Sequence, residues 1–264
     1  MNGLNYPDFF NVVRRRRSIR KFTGEPIDGA VVERALKAAV WAPNSSNTQT
    51  WDFYWVQDPT KKALLVKACL SQVAARSASE LVVITANPRK WRRSNAALMD
   101  WTERENAPPI VKKYYSKLVP FVYRWGWFNS FGLVKWIVSR LVGLYMPIIR
   151  NQCFRGDLEC VAIKSAALAA ENFVLAVAAQ DHDTCMMEGF DEARVRKLLK
   201  LTRFDRVVMV VAIGKALGNG TWNSPFRIPN TEVIRQYEIQ ETRYRGWRRR
   251  WGQRSRPGTA TLRA

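Results

Sequence analysis

The sequence predicts an α+β domain in which helices pack around one sheet. Segments with helical spacing of apolar residues are interspersed with short apolar runs typical of buried strands. These segments lack the regular strand-helix-strand spacing of a doubly wound sheet, and the chain contains no internal repeat. With 264 residues, 47% of them hydrophobic, the chain is long and apolar enough to bury such a core.

Each element is predicted from its own pattern. In the clearest helix, apolar residues from Val31 to Ala39 recur at helical spacing behind a capping residue, Asp28. In the first strand, Phe53 and Trp55 fall on one face. The predicted helices are residues 7–17, 28–41, 158–180 and 191–200. The predicted strands are residues 50–57, 80–87 and 206–214.

Charge and rare residues restrict the classes of function. Lys and Arg number 43 against 22 acidic residues, a net charge of +21, which indicates an anionic partner: nucleic acid, a phosphate-bearing cofactor or an anionic membrane. The four cysteines form no C-x-x-C pair, and His182 is the only histidine, so we expect no metal site and no His-dependent triad. We expect the cysteines to be reduced packing residues. The chemistry must then come from a bound cofactor or from carboxylates.

Four short motifs follow one another along the chain. They are "RRSIRKF" (16–22), with Arg16, Ser18 and Arg20 at alternate positions, "APNSSNTQTW" (42–51), "MMEGFD" (186–191) and "FRIPN" (226–230). Taken alone, the first is also typical of a basic helix end and the second of a polar surface loop. In this order, the four motifs resemble the FMN-dependent nitroreductase superfamily. The resemblance covers residues 10–88 and 157–235 and implies a nitroreductase-like fold: a mixed or antiparallel central sheet flanked by helices, in an intertwined homodimer.

The resemblance implies a role for each motif. Arginines 16, 17 and 227 and Ser18 would bind the FMN phosphate. Arg20 would lie near N1 and the C2 carbonyl of the flavin, and the amides of Glu188 and Gly189 would reach N5 and O4. The loop of the neighbouring subunit would complete the site with Pro43, Asn44, Ser45 and Asn47.

The chain departs from the family pattern at several positions. Asn44 replaces a serine, Thr50 a proline and Pro225 a lysine. An Asn/Lys pair of the family has no clear counterpart, although Gln72 and Arg76 are nearby and polar. The proline at 225 leaves phosphate binding more dependent on the arginines.

The implied function is an FMN-dependent oxidoreductase. NAD(P)H would reduce the flavin, and an apolar or aromatic acceptor, such as a nitroaromatic, a quinone or an unsaturated lipid-like compound, would then be reduced in the same pocket. Two alternatives remain at this stage: a non-catalytic basic protein that binds membrane or nucleic acid and retains the fold, and a deiodinase-like relative. The deiodinase is disfavoured because "WTERENAPPIVKKYYSK" has no Glu one helical turn before a Tyr.

Two regions fall outside this pattern. The domain prediction is an FMN-binding domain over 1–240 with an insertion at 88–156, followed by a basic Arg/Trp tail at 241–264. Within the insertion, Gly132, Lys135, Ser139 and Gly143 form one stripe of a helix around 131–146, and apolar residues cover the rest. This helix is either a lid over the flavin or lies in a membrane interface. The tail suits anionic lipid or nucleic acid, or it is a solvated segment without a partner. Lipid is favoured over nucleic acid beside an apolar insertion. Because the N-terminus lacks the apolar core of a secretory signal, we expect a cytoplasmic protein. The apolar helix and the basic tail together predict that it is peripheral on the inner face of the membrane.

Overall fold

The computed structural model describes residues 5–235, so the predicted Arg/Trp tail lies outside the described residues. The chain divides into two compact units, one ending at Trp222 and one beginning at Asn223. The first unit contains the sheet and ten helices among the described residues, and the described part of the second contains one short helix, α11 (Asn230–Val233).

The helices of the first unit are α1 (Tyr6–Arg15), α2 (Gly29–Ala39), α3 (Pro59–Ala68), α4 (Val73–Ser77), α5 (Trp91–Arg104), α6 (Pro109–Lys113), α7 (Val119–Tyr123), α8 (Ser130–Val142), α9 (Arg155–Ala178) and α10 (Glu192–Leu198). A π-helical turn, Tyr114–Leu118, joins α6 to α7, and short 3-10 turns occupy Ser45–Asn47, Pro88–Lys90 and Trp127–Asn129. The strands are β1 (Trp51–Trp55), β2 (Glu80–Ala86), β3 (Asp183–Met187) and β4 (Arg206–Gly214).

The four strands form one antiparallel sheet in the order β1-β2-β4-β3. Ala86 at the end of β2 pairs with Arg206, and Met187 at the end of β3 pairs with Val210. Strands β2 and β3 therefore both run towards the start of β4. This arrangement places the turn that follows β3, which contains the predicted flavin contacts, at one edge of the sheet.

Apolar residues fill both faces of the sheet. Helices α2 and α9 cover one face, with Phe173 of α9 fully buried, and α3 and α4 cover the other with Ile19 and Phe22. Helix α9 is long and apolar enough to cross a membrane by length and composition, with a mean hydropathy of 1.6. Its buried residues pack against the sheet, so its apolar composition is explained by its place in the core.

The predicted elements correspond to α1, α2, α9 and α10 and to β1, β2 and β4, with ends that differ by a few residues. Helix α1 ends at Arg15, two residues before the predicted end at residue 17, so Arg16 lies outside the helix. Strand β3 was not predicted. The cysteine prediction is wrong at one position: Cys69, Cys153 and Cys185 are buried, but Cys160 lies on the exposed side of α9 and does not pack in the core.

Candidate flavin site

The segment after α1 runs beside β3. Ser18 forms a parallel bridge with Thr184, and the Ile19 amide donates to the Thr184 carbonyl at 2.9 Å. Ile19 is buried in the core, whereas Arg16, Ser18 and Arg20 are only partly buried. The buried isoleucine anchors the segment, which keeps the predicted phosphate ligands and Arg20 at the surface of the sheet edge.

Arg20 lies next to the middle of β3. Its guanidinium carbon is 5.0 Å from the centre of the Trp222 ring, and its backbone amide donates to the Gly220 carbonyl at 2.6 Å. Burial raises the pKa of the Cys185 thiol, while the charge of Arg20 and a hydrogen bond from it act in the opposite direction. Arg20 therefore contacts β3 at Cys185, three residues before Glu188, where the chain leaves the sheet.

The turn after β3 is held by the start of α4. Glu188 and Gly189 are exposed, and the Gly189 carbonyl accepts a hydrogen bond from Gln72 Nε2 at 2.6 Å. A Cβ at Gly189 would lie 3.3 Å from that nitrogen, a tight approach that glycine avoids. The Asp191 amide also donates to the Ala68 carbonyl at 2.8 Å. Gln72, which the sequence marked only as a nearby polar residue, thus positions the turn.

The polar loop between α2 and β1 has an unusual backbone. Ser46, Asn47 and Gln49 have φ angles of 53°, 51° and 43°, a left-handed region that residues other than glycine seldom adopt. Such conformations concentrate at functional sites, where the surrounding structure must hold them. Here the Asn44 side-chain oxygen accepts from the Gln49 amide at 2.9 Å. The asparagine that replaces the family serine therefore shapes the loop.

The insertion packs on the same loop. Tyr123 of α7 is 1% exposed, and its hydroxyl donates to the Ser45 carbonyl at 3.1 Å. The Tyr114 hydroxyl is 2.8 Å from Ser46 Oγ. No local motif marks these tyrosines, because the Tyr123 contact joins residues 78 positions apart. The insertion therefore supports the loop that the sequence predicts as a wall of the flavin pocket.

The predicted site residues form two groups in the first unit. Arg16, Ser18 and Arg20 accompany β3 and its turn, Glu188–Gly189, whereas Pro43, Asn44, Ser45 and Asn47 lie in the loop before β1. Within the described residues, no hydrogen bond joins this loop to Arg16, Ser18 or Gly189. Arg17, at the same segment, is partly buried. Arg227 lies in the second unit, where its Nη1 donates to the Phe226 carbonyl at 2.7 Å.

Helix α8 in the insertion has its polar stripe buried. Gly132, Lys135 and Ser139 face the protein, and the Lys135 ammonium donates to the carbonyls of Val122 and Gln152 at 2.7 and 2.9 Å. Burial lowers the pKa of Lys135. The outer face of the helix and the following turn is apolar and exposed: Leu133, Val134, Trp136, Ile137, Val138, Leu141, Leu144, Tyr145 and Met146. We refer to these nine residues as the α8 apolar face.

Comparisons with known proteins agree with this architecture. The family model described as Nitroreductase family matches residues 13–110 and 157–215. Protein DrgA of Synechocystis is 31% identical over 86% of this chain and 95% of its own length. MhqN of Bacillus subtilis, which carries the name of an NAD(P)H nitroreductase, is 25% identical over 86% of this chain and 98% of its own length.

A crystal structure described as a nitroreductase in complex with FMN, from Exiguobacterium sibiricum, has a similar fold. Its TM-score is 0.64 at 20% identity, and the match covers 90% of this chain and 99% of the other. The fold is therefore the α+β fold of nitroreductase structures, as the sequence motifs predicted. The chain belongs to the nitroreductase family. The family model leaves residues 111–156, most of the insertion, unmatched.

Proposed function

We propose that the protein is an FMN-dependent oxidoreductase that uses NAD(P)H and reduces an apolar or aromatic acceptor, such as a nitroaromatic, a quinone or an unsaturated lipid-like compound. FMN, when bound, would take hydride equivalents from NAD(P)H and pass them to the acceptor in the same pocket. The observation that carries the proposal is the bridge between Ser18 and Thr184, which aligns the predicted phosphate ligands with β3 and its turn. The FMN complex of the structural relative and the name of MhqN support the same cofactors.

The residues present fit an FMN molecule. Arg16, Arg17 and Ser18 would satisfy the phosphate dianion through charge-assisted hydrogen bonds. The resemblance to the family adds Arg227 as a further phosphate ligand. The exposed turn at Gly189 leaves space for close approach of a planar ring, and Arg20, held over the Trp222 ring, would supply a cation beside it. In reduced flavin, negative charge collects near N1, so a cation at that point stabilises the reduced form.

The protein itself supplies no acid or base in this scheme. His182 Nδ1 lies 2.6 Å from the Gln180 carbonyl, away from the Glu188–Gly189 turn. The tasks left to the chain are to bind the phosphate, orient the ring and exclude water. These tasks agree with a site made of arginines, backbone amides and short polar side chains.

The proposal includes a homodimer in which Pro43, Asn44, Ser45 and Asn47 of each chain complete the flavin pocket of the other. Among residues 5–235 of one chain, this loop has no hydrogen bond to Arg16, Ser18 or Gly189, as expected if it serves a second copy. Trp41, beside the loop, is 86% exposed, and Ile163 and Leu168 of α9 are also exposed. Apolar side chains in these positions are suited to burial between two subunits.

The proposal also places the protein in the cytoplasm, peripheral on the inner face of the membrane. Helix α8 is oriented in the opposite way to an ordinary amphipathic surface helix. Its polar stripe is buried, and its apolar side chains are exposed to solvent. Arg140 borders this face, with its guanidinium 5.6 Å from the Trp136 ring. Apolar residues with basic edges are typical of a helix that lies in a membrane interface. The high net positive charge favours an anionic leaflet.

Flavin binding tests the proposed function directly. The purified protein should be yellow or become so with added FMN, and NADH or NADPH should bleach the flavin absorbance. Replacing Arg16 or Arg227 by Ala should weaken FMN binding by about 1.5–3 kcal/mol, because each removes a charged hydrogen bond to phosphate. Arg104→Ala, an exposed arginine at the end of α5, is the control and should bind FMN normally. A colourless protein that FMN does not reconstitute would instead favour a non-catalytic scaffold.

A further inference from the structure

An open cleft of about 820 Å³ lies between the insertion and the chain just before β4. It is bounded by the 3-10 turn after β2, the chain between α7 and α8, the start of α9 and the chain before β4. None of its lining residues is a predicted flavin contact. The cleft is therefore a second concave surface of the first unit.

Arginines and aromatic rings line this cleft. The arginines are Arg89, Arg92, Arg124, Arg155 and Arg203. The guanidinium carbons of Arg89, Arg155 and Arg203 lie 3.5, 4.9 and 4.8 Å from the centre of one ring, that of Phe204. The aromatic rings hold three like charges close together in a fixed arrangement.

The positive charge of the cleft is poorly neutralised by the protein. Arg155 pairs with Glu159 at 2.6 Å, but the other four arginines make no ion pair within residues 5–235. The pKa of Arg89 is lowered, first by partial desolvation and then by the neighbouring charges of Arg92, Arg203 and Arg155. Folding thus assembles several guanidiniums that repel one another, and an anion in the cleft would relieve that repulsion.

The cleft opens beside the proposed membrane surface. Trp127 and Phe128, at its rim, are 81% and 92% exposed and directly precede α8 in the chain. Phe131 of α8 also lines the cleft. The rim therefore leads along the chain into α8, whose outer face is apolar. An amphiphile with its charged group in the cleft would have apolar residues close by for its chains.

We propose that this cleft binds the phosphate group of an anionic phospholipid. The proposal rests on the membrane-surface part of the proposed function and adds to it a defined headgroup site. Guanidiniums match phosphate oxygens through paired hydrogen bonds, and they lose less hydration than ammonium groups when they do so. The cleft would then set which lipids hold the protein, and the α8 apolar face would supply attachment that depends little on salt.

Vesicle binding by the full-length protein tests this site. The probe is vesicles of equal parts phosphatidylglycerol and phosphatidylcholine. The test variant is Arg89→Gln with Arg203→Gln, two exposed side chains of the cleft. The control is Arg76→Gln with Arg104→Gln, two exposed arginines outside it that remove the same charge. We expect the cleft variant to lose about tenfold or more in vesicle affinity and the control clearly less. A charged hydrogen bond to phosphate contributes more to affinity than the diffuse attraction of an exposed charge to the membrane.

Two results would overturn the proposal. Equal losses in the two variants would mean that the net charge alone attracts the membrane. The second result concerns inorganic phosphate, whose binding is measured by tryptophan fluorescence. If the cleft variant no longer binds phosphate but binds vesicles as the control does, the cleft is a site for a soluble phosphate.

Two further measurements keep this test separate from the flavin function. FMN content and flavin reduction by NAD(P)H, measured without lipid, should be unchanged in the cleft variant. Urea unfolding should show no loss of stability, since the substitutions remove repulsive charges from exposed positions. If the wild-type protein does not bind FMN, the proposed oxidoreductase function is wrong. The vesicle-binding result still decides whether the cleft binds lipid.

Discussion

At the scale of single residues, Gln72 holds the Glu188–Gly189 turn through the Gly189 carbonyl, and Tyr123 holds the polar loop through the Ser45 carbonyl. Ser18 and Gly189 were singled out from local motifs, and the structure places them along one strand and its turn. Gln72 and Tyr123 were not given their roles, because each acts on a residue distant in the chain. A local pattern contains no information about such pairs, which arise only when the sheet and the insertion pack together.

The proposed role of Arg20 predicts a change in the flavin potential. Replacing Arg20 by Gln should leave FMN binding nearly intact and lower the two-electron potential by about 30–65 mV, which corresponds to about 1.5–3 kcal/mol of charged interaction. Lys21→Gln, which removes an exposed charge one residue along, is the control. A redox titration checks both variants. If the potential of the Arg20 variant stays or rises, Arg20 does not face the reduced ring.

The buried thiol of Cys69 predicts a specific dependence of stability on pH. Burial raises its pKa from 9.0 to about 11, so the folded protein retains the proton that the unfolded chain loses above pH 9. The stabilising contribution is complete below pH 9 and declines as the pH rises towards the folded pKa. Between pH 8 and 10, wild type should lose about 1 kcal/mol relative to Cys69→Ala. Urea unfolding at several pH values measures this difference, and parallel pH profiles would contradict the prediction.

At the scale of elements, periodicity identified the long helices and the apolar strands. It failed for β3, "DTCMM", which is short and begins with Asp, a residue depleted in strands. Pairing of β3 with β4 decides its conformation, and the sequence does not display that pairing. Within the insertion, only the helix around 131–146 was predicted. Its stripe of Gly132, Lys135 and Ser139 is indeed one face, and the structure adds that this face points inward.

Because the apolar face of α8 points outward, a substitution there should change membrane binding without changing the stability of the fold. Ile137→Asp should weaken binding to anionic vesicles by about 1.5–3 kcal/mol, the value of burying such a side chain, yet should hardly change the urea midpoint. Ile137 is 45% exposed, so the fold does not depend on it. Leu64→Asp, at a similarly exposed position on α3, is the matched control. Equal vesicle binding by both variants would mean that α8 is a lid.

At the scale of the whole molecule, the predicted flavin-site residues lie in two separate groups of one chain. One chain presents an arginine-rich edge beside β3 and, separately, a strained polar loop that other parts of the same chain hold in place. The family fold was predictable from four motifs, because both the motifs and their order can be read directly from the sequence. The cleft was not, since its arginines come from four separate stretches of the chain, none of which is distinctive.

Subunit exchange tests whether the loop serves the partner. Asn47→Ala and Arg16→Ala should each weaken flavin binding at both sites of a homodimer. In a mixed dimer, one site would carry both changes and the other neither, so mixing the two variants should restore part of the bound flavin. Flavin fluorescence, with exchange verified by mass, measures the recovery. If exchange occurs without recovery, each loop completes the pocket of its own chain.

Tyr123 links the two proposed binding surfaces. Its ring lines the cationic cleft, and its hydroxyl supports the backbone of Ser45 in the polar loop. A headgroup that prefers one position of this ring would shift the loop, and the loop would shift the flavin affinity. Thermodynamic reciprocity then requires FMN to change lipid affinity by the same factor as lipid changes FMN affinity. An enzyme built in this way would carry its cofactor most firmly where its membrane is, and would release it more readily elsewhere.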